Sequence, residues 1–311
     1  MTAAALPAVP AHGRLALWAL FLGAVLISFS GIIVKLSELG PTATGFHRMF
    51  LSLPVFWLWM AGETRTRRGS LPESRSDWSL LVFCGIALAA DLVVWHWSLH
   101  MTSVANATLL GNTAPIFVTL AGWLLFGQRF SPLFLLGLAL GILGVVLLVG
   151  VSLDKGERPF LGDLLGIMAG AFYAAYLMLV ARLRGRFSTA TVMGISGVVT
   201  CVALLPVVYL SGEGLTPHSI HGWVLLFALA WLSQILGQSA ITWSLAHLPT
   251  AFGVLSLLVN PVAAALFAWP LLGEAIGPIQ GLGGAIVLGG IFLARQGSIR
   301  NRGEVNAIGA A

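Results

Sequence analysis

The feature that most constrains this chain is a series of ten apolar runs, separated from one another by short polar breaks. Each run is about 20 residues long, the length that an α-helix needs to cross the hydrocarbon core of a bilayer. Of the 311 residues, 58% are hydrophobic and only 9% are charged, which is too little charge for the surface of a soluble protein. The sequence therefore predicts an all-α integral membrane protein, because spanning segments must satisfy their own backbone hydrogen bonds.

The runs predict ten helices, which we number in chain order. They are expected at 15–36, 42–61, 78–100, 104–126, 132–151, 160–182, 189–210, 221–246, 250–272 and 277–295. Residues 1–14 are predicted to be a mobile N-terminus, 152–159 a linker and 296–311 a cytoplasmic tail.

A long stretch of the first half is repeated in the second at a fixed spacing of 146 residues. Trp97 returns as Trp243 and Pro115 as Pro261, and 15 of the 48 positions from Trp97 to Gly144 are identical to their counterparts. Internal duplication at a constant period indicates two copies of one structural unit. The predicted units are 15–151 and 160–295, with five helices each. Because five is odd, the second copy enters the membrane inverted, which is the architecture of secondary transporters.

Arginine and lysine in the loops predict the orientation, since these residues are enriched on the cytoplasmic side. With both termini inside, the cytoplasmic segments hold twelve basic residues and the external loops hold three. The external ones are Lys35, Lys155 and Arg158; the cytoplasmic ones are Arg14, Arg65, Arg67, Arg68, Arg75, Arg129, Arg182, Arg184, Arg186, Arg295, Arg300 and Arg302. The sequence thus predicts a multi-pass membrane protein with both termini in the cytoplasm.

A set of motifs in this order resembles a known family. Lys35 ends helix 1, Pro41 opens helix 2, and Arg48 follows about two turns later. The helices with Pro115 and Pro261 each lead into a Gly-Gln or Gly-Glu turn (Gly127-Gln128 and Gly273-Glu274) and a glycine-rich helix. The chain resembles the EamA-type carriers of the drug/metabolite transporter superfamily, and within them the YddG-type exporters of aromatic amino acids. The resemblance implies two inverted halves that export amino acids or other small metabolites.

Helix 3 carries the first candidates for a substrate site. Asp91, Trp95 and Ser98 stand at i, i+4 and i+7 and share one helix face. A carboxylate inside the membrane is costly and therefore a candidate functional group. In a substrate site, Asp91 can contact an amino group and Trp95 an apolar side chain. The alternative is that Asp91 pairs with another buried group and has a purely structural role.

Helices 4 and 9 carry polar residues next to prolines. Asn112 precedes Pro115, and Ser256 and Asn260 precede Pro261. Proline removes a backbone donor, so each should expose a carbonyl four residues earlier. The asparagines are predicted either to satisfy such carbonyls or to contact substrate, and the prolines are predicted hinges.

Helices 6, 8 and 2 supply the remaining candidates. Tyr173 and Tyr176 can offer hydroxyls and rings, or can merely pack. In helix 8, Gln234 and Gln238 are predicted to share a cavity face with Gly237 and Ile241. Arg48 can attract a substrate carboxylate, but it can also reach headgroups or pair with an acidic residue, and the family resemblance favours a gating role.

The sequence contains few motifs that indicate any other function. His96 and His100 have the spacing of a metal pair but lack further ligands, and we find no nucleophile, metalloprotease or phosphate-loop motif. The two cysteines lie in apolar runs, and the +5 charge sits mainly in loops. We therefore predict a carrier with no cofactor, metal or nucleic-acid partner that is not an enzyme. Its partners are a small-molecule substrate and the bilayer, and the oligomeric state stays open. A passive channel, or less favourably an intramembrane enzyme, remains the alternative.

Overall fold

The structure is a computed structural model that describes residues 11–65, 71–102, 104–149, 159–272 and 277–308. Within these residues the chain forms ten helical spans, α1–α10, which confirms the predicted all-α membrane fold. In this described part, seven helices are long and apolar enough to cross a membrane. The second segment of α4 and the helix α5 are shorter apolar helices.

The bounds of the spans follow the prediction closely, although three spans are interrupted and one contains a π-helix. They are α1 Ala11–Leu36; α2 Pro41–Phe50 and Leu53–Arg65; α3 Arg75–Met101; α4 Val104–Gly111 and Ala114–Phe126; α5 Pro132–Val149; α6 Pro159–Leu183; α7 Thr189–Leu210; α8 Ile220–Ala228, the π-helix Leu229–Gln238, and Ser239–Ser244; α9 Thr250–Ser256 and Val259–Leu272; and α10 Pro278–Ile308. The last helix continues past its predicted end at 295, so the predicted tail begins as helix.

Each interrupted span breaks just before a proline. The breaks in α4 and α9 precede Pro115 and Pro261, and an unpredicted break in α2 precedes Pro54. Proline has no N–H to continue the ladder, and it disfavours helical backbone at the residue before it. The α4 and α9 breaks occupy nearly equivalent places in the two copies.

Local hydrogen bonds form at both of these breaks. The side-chain amide of Asn112 donates to the carbonyl of Thr108 at 2.7 Å, which also accepts the Asn112 backbone N–H at 3.1 Å, and not to the Gly111 carbonyl that Pro115 was expected to expose. In α9 the carbonyl of Leu257 was expected to be exposed, but it accepts the backbone N–H of Asn260 at 2.8 Å. The chain there tightens into a shorter turn and keeps its own hydrogen bond.

The helices α5 and α10 pack closely through glycine. A Cβ atom placed on Gly137 would lie 2.5 Å from the carbonyl oxygen of Gly290, and one on Gly144 would lie 2.7 Å from that of Gly283. These contacts require the two helices to run antiparallel. Gly137 and Gly283 are repeat equivalents, as are Gly144 and Gly290, so the contact is twofold symmetric. Equivalent helices that run in opposite directions belong to inverted copies.

The other principal contacts follow the same symmetry. The helix α3 packs on α6, its equivalent α8 packs on α1, and α2 packs on its own equivalent, α7. The close approach of α6 is made by Gly162, Gly166 and Gly170, where added Cβ atoms would lie within 3.0 Å of residues in α3 and α4. Small residues allow membrane helices to pack at this distance. The interior between the copies is therefore lined by α2, α3, α6 and α8.

Candidate polar site between the two repeats

The polar site lies where α2 and α3 of the first copy meet α6 and α8 of the second. Its central link joins the copies: the Nε atom of Arg48 donates to Oε1 of Gln234 at 3.0 Å. Both side chains are buried, and Gln234 is completely so. An arginine inside a membrane bundle is costly unless it faces polar groups or water, so this position is a candidate functional site.

Two stacked tyrosines from α6 form one wall of the site. The rings of Tyr173 and Tyr176 lie 6.0 Å apart at 18°. Gln238 accepts from the Tyr173 hydroxyl at 3.4 Å and donates to the Tyr176 hydroxyl at 3.4 Å. Tyr176 is fully buried and its hydroxyl also lies 3.6 Å from the sulfur of Met193. Tyr173, by contrast, is only half-buried.

Asp91 of α3 supplies the carboxyl group. Its helix packs on α2, where His96 Nδ1 lies 2.6 Å from the Pro41 carbonyl oxygen and a Cβ on Gly45 would lie 3.8 Å from Leu92, so Asp91 lies at a level similar to that of Arg48. The two side chains do not come within ion-pair distance, in contrast to Arg186 and Asp77. One turn further along α3, the half-buried indole of Trp95 lies against the α4 break, where a Cβ on Gly111 would be 3.2 Å from it. The site thus combines a guanidinium, a carboxyl group, two amides and aromatic rings from both copies.

The π-helix in α8 aims its two glutamines at this site. Gln234 meets Arg48, and Gln238 meets the tyrosines. A Cβ on Gly237, by contrast, would lie 2.8 Å from Ile27 in α1, and Ile241 packs near Gly23 of that helix. The predicted single face of four residues is therefore wrong: the wider turn of a π-helix separates the glutamines from the residues that pack on α1.

Several predicted candidates lie outside this cluster. The Ser98 hydroxyl is fully buried and donates to the carbonyl of Gly162 at 2.7 Å, which fastens α3 to α6. Ser256 donates to the carbonyl of Phe252 at 2.9 Å within its own helix. Asn112 and Asn260 lie at the α4 and α9 breaks, as do Pro115 and Pro261. Their contact with substrate and the hinge role of the prolines stay predictions.

Two further residues, Met193 and Thr242, belong to the cluster and were not predicted from the sequence. The sulfur of Met193 in α7 accepts from Thr242 at 3.3 Å as well as lying near Tyr176. Methionine in an apolar helix gives no signal of such a role. Thr242 stands in the polar segment of α8, and that polarity is the signal from which it could have been found.

At the end of the bundle where α2 and α8 begin, two carboxylates join the copies. Glu38 accepts the backbone N–H groups of His218 and Ser219 at 2.9 and 3.2 Å and the Ser219 hydroxyl. Glu213 accepts the N–H of Ala43 in the first turn of α2 at 2.7 Å. Each carboxylate thus caps a helix start in the opposite copy. The Ser219 hydroxyl, followed by the two backbone donors, lowers the pKa of Glu38.

At the opposite end, an ion pair joins α3 to the α6–α7 loop. Asp77 closes a capping box with Ser74 and also binds Nη1 of Arg186 at 2.5 Å. Asp77 is buried, whereas the Arg186 side chain is 63% exposed. Elsewhere in the part of the chain that the structure describes, no three His, Cys, Asp or Glu side chains are grouped to hold a metal.

A bundle of two inverted copies with a polar site between them has the architecture of a secondary transporter. Family comparison agrees: residues 14–150 and 160–296 each match the EamA-like transporter family, so the chain belongs to that family. It is a non-enzymatic carrier built from two copies of the family's domain.

Three relatives and one solved structure show the range of similarity. The Threonine/homoserine exporter RhtA of Escherichia coli (strain K12) is 30% identical over 220 residues, 70% of each chain. A probable terminal-alkyne amino-acid exporter of Streptantibioticus cattleyicolor is 25% identical over 299 residues, 94% of this chain and 98% of that one. An uncharacterized transporter of Archaeoglobus fulgidus is 26% identical over 276 residues, which are 86% of this chain and 91% of that one. A crystal structure at 20% identity has a TM-score of 0.73 over 92% and 98% of the chains, and it bears on the fold alone.

Proposed function

We propose that this protein exports amino acids or related small metabolites by alternating access through the site between its two repeats. The observation that carries the proposal is the buried arrangement of Arg48, Asp91 and two amides beside aromatic rings, in a member of a carrier family. A few oriented polar groups in an apolar, aromatic-lined pocket suit a small ligand with a variable side chain. Two of the relatives carry names of amino-acid exporters, which supports the same substrate class.

Aromatic or large neutral amino acids are the favoured substrates within this class. The half-buried rings of Trp95 and Tyr173 support that choice, since aromatic surfaces pack well against large apolar groups. The relative named for threonine and homoserine favours smaller polar side chains instead. Both kinds of substrate therefore belong in the test.

The proposed setting is a bacterial inner membrane with both termini in the cytoplasm and repeats at 15–151 and 160–295. The distribution of arginine supports this orientation. Labelling of single cysteines placed at Trp97 and Trp243 tests it, because inversion puts these positions on opposite sides. Labelling of both from the same side would contradict it.

Counterflow into proteoliposomes tests the transport proposal. Purified protein is reconstituted with unlabelled amino acid inside, and uptake of labelled leucine, tryptophan, phenylalanine or threonine is followed against protein-free vesicles. A carrier gives saturable uptake that internal substrate accelerates. Flux without saturation or exchange would favour the channel, and an absence of uptake for every amino acid would overturn the proposal.

A further inference from the structure

The charged groups of the site are arranged in a way that a structural ion pair does not explain. Arg48 and Asp91 lie at a similar level of two packed helices, since His96 Nδ1 is 2.6 Å from the Pro41 carbonyl oxygen and Leu92 lies beside Gly45, but they do not form an ion pair. Holding opposite charges inside a membrane protein is costly, and direct pairing is the usual way to reduce that cost. Separated charges of opposite sign leave room for a ligand that carries both signs itself.

The hydrogen bonding of Arg48 orients the group beside it. Because the Arg48 Nε–H donates to Gln234, the amide oxygen of Gln234 faces the guanidinium and its nitrogen points elsewhere. That Nε2 atom is buried and has no hydrogen-bond partner in the described residues. Buried donors without partners are rare, and each one calls for a reason.

We propose that Arg48 and Asp91 form a clamp for the two charged groups of an α-amino acid. The Arg48 guanidinium and the Gln234 amide nitrogen bind the carboxylate, and the Asp91 carboxylate binds the ammonium group. The clamp rests on the proposed function and specifies its substrate as a free zwitterion. The side chain of the amino acid then lies against Trp95, one turn from Asp91, or against Tyr173, whose hydroxyl donates to Gln238 one turn from Gln234.

Physical chemistry predicts a definite selectivity for this arrangement. An amino-acid amide lacks the carboxylate and leaves the Arg48 end unsatisfied, whereas an N-acetyl amino acid lacks the ammonium group and leaves Asp91 unsatisfied. Loss of a charge-assisted hydrogen bond to a buried group reduces binding about 10- to 100-fold. If Arg48 and Asp91 had only a structural role, they would not discriminate between the free amino acid and these two analogues.

The experiment measures competition with labelled leucine counterflow by leucine, leucinamide and N-acetyl-leucine. For the unmodified protein we expect both analogues to compete at least about tenfold more weakly than leucine. Asp91→Asn should lose the preference over N-acetyl-leucine and keep the preference over leucinamide. Arg48→Gln should do the reverse, and Gln234→Glu should shift preference toward leucinamide by placing an acid at the carboxylate end.

Matched controls are Glu73→Gln and Arg75→Gln, which change exposed charges at the far end of α3. They should leave both competition ratios, leucinamide to leucine and N-acetyl-leucine to leucine, unchanged. If Arg48→Gln or Asp91→Asn fails to purify as a single species, Gln234→Glu and the unmodified protein still give decisive ratios. Variants that lower leucine counterflow without changing the ratios, or analogues that compete as well as leucine, would overturn the clamp and leave amino-acid transport standing. Failure of the unmodified protein to exchange any amino acid would overturn both.

Discussion

The α5–α10 contact makes a quantitative prediction about packing. A Cβ on Gly137 would lie 2.5 Å from both the Gly290 oxygen and the Ala294 nitrogen, whereas real Cβ contacts are essentially never below 3.0 Å. Gly137→Ala must therefore move the two backbones apart by about 0.5 Å, the difference between these distances. Overpacking of this kind costs about 1–3 kcal/mol. The better helix propensity of alanine offsets about 0.5–1 kcal/mol of it.

The net expectation for Gly137→Ala is a destabilisation of about 1 kcal/mol, or about 2–4 °C in the apparent unfolding temperature. Gly290→Ala acts on the same contact and should match it. The double variant should lose less stability than the two single variants added together, because the first methyl group has already separated the helices. Gly289→Ala is the control: it lies beside Gly290, yet nothing lies within 4 Å of its added Cβ.

In the assay, the purified variants are heated in detergent. Unfolding is measured as the loss of the fraction that elutes as a single species in size-exclusion chromatography. Gly289→Ala should be unchanged or slightly stabilised. If Gly137→Ala were as stable as Gly289→Ala, the close symmetric contact would be wrong. Full additivity in the double variant would show that the two glycines do not share one contact.

Two further predictions concern the ends of the bundle. Glu38→Gln should raise hydrogen exchange at the amides of His218 and Ser219 at neutral pH, since a neutral amide accepts more weakly than a carboxylate; unchanged exchange would contradict the contact. The lowered pKa of Glu38 means that its ionised carboxylate stabilises the start of α8 at pH values above the ordinary carboxyl range. This stabilisation is lost as pH falls through the lowered pKa, so the amides of His218 and Ser219 in the unmodified protein should lose their protection from exchange in acid. Arg186→Gln should remove at most about 1 kcal/mol at low salt, because the exposed arginine is screened, and a large, salt-independent loss of thermal stability would refute that estimate.

The helices and their symmetry could be predicted from the sequence because the bilayer dictates both length and composition. Apolar runs located all ten spans, and the repeated Pro115 and Pro261 indicated the interruptions of α4 and α9. The break before Pro54 was missed, since one proline near a helix middle does not reveal how far the ladder opens. The extension of α10 beyond 295 was missed because polar sequence can continue a helix outside the membrane.

The site was harder to predict because it depends on which residues from different helices meet. Polarity alone found Asp91, Tyr173 and Gln234, but it also selected Ser98 and Ser256, whose hydroxyls satisfy nearby carbonyls. Ordinary helical spacing also failed in α8, where the π-helix changes the angle between successive side chains. Such a local change follows from tertiary contacts, which one sequence does not contain.

The symmetry of the scaffold does not extend to the chemistry of the site. The two family matches are offset by 146 residues, and at that spacing the counterpart of Arg48 is Gly194 and that of Asp91 is Gly237. Gln234 corresponds to Leu88. A symmetric site would repeat each charge and would bind either end of a zwitterion at either position. Under the proposed clamp, a cation in α2 and a carboxyl group in α3, with no counterpart for either, would give the ligand a single orientation. The duplicated helices would then supply two similar gates, while one set of side chains from both copies would hold the substrate between them.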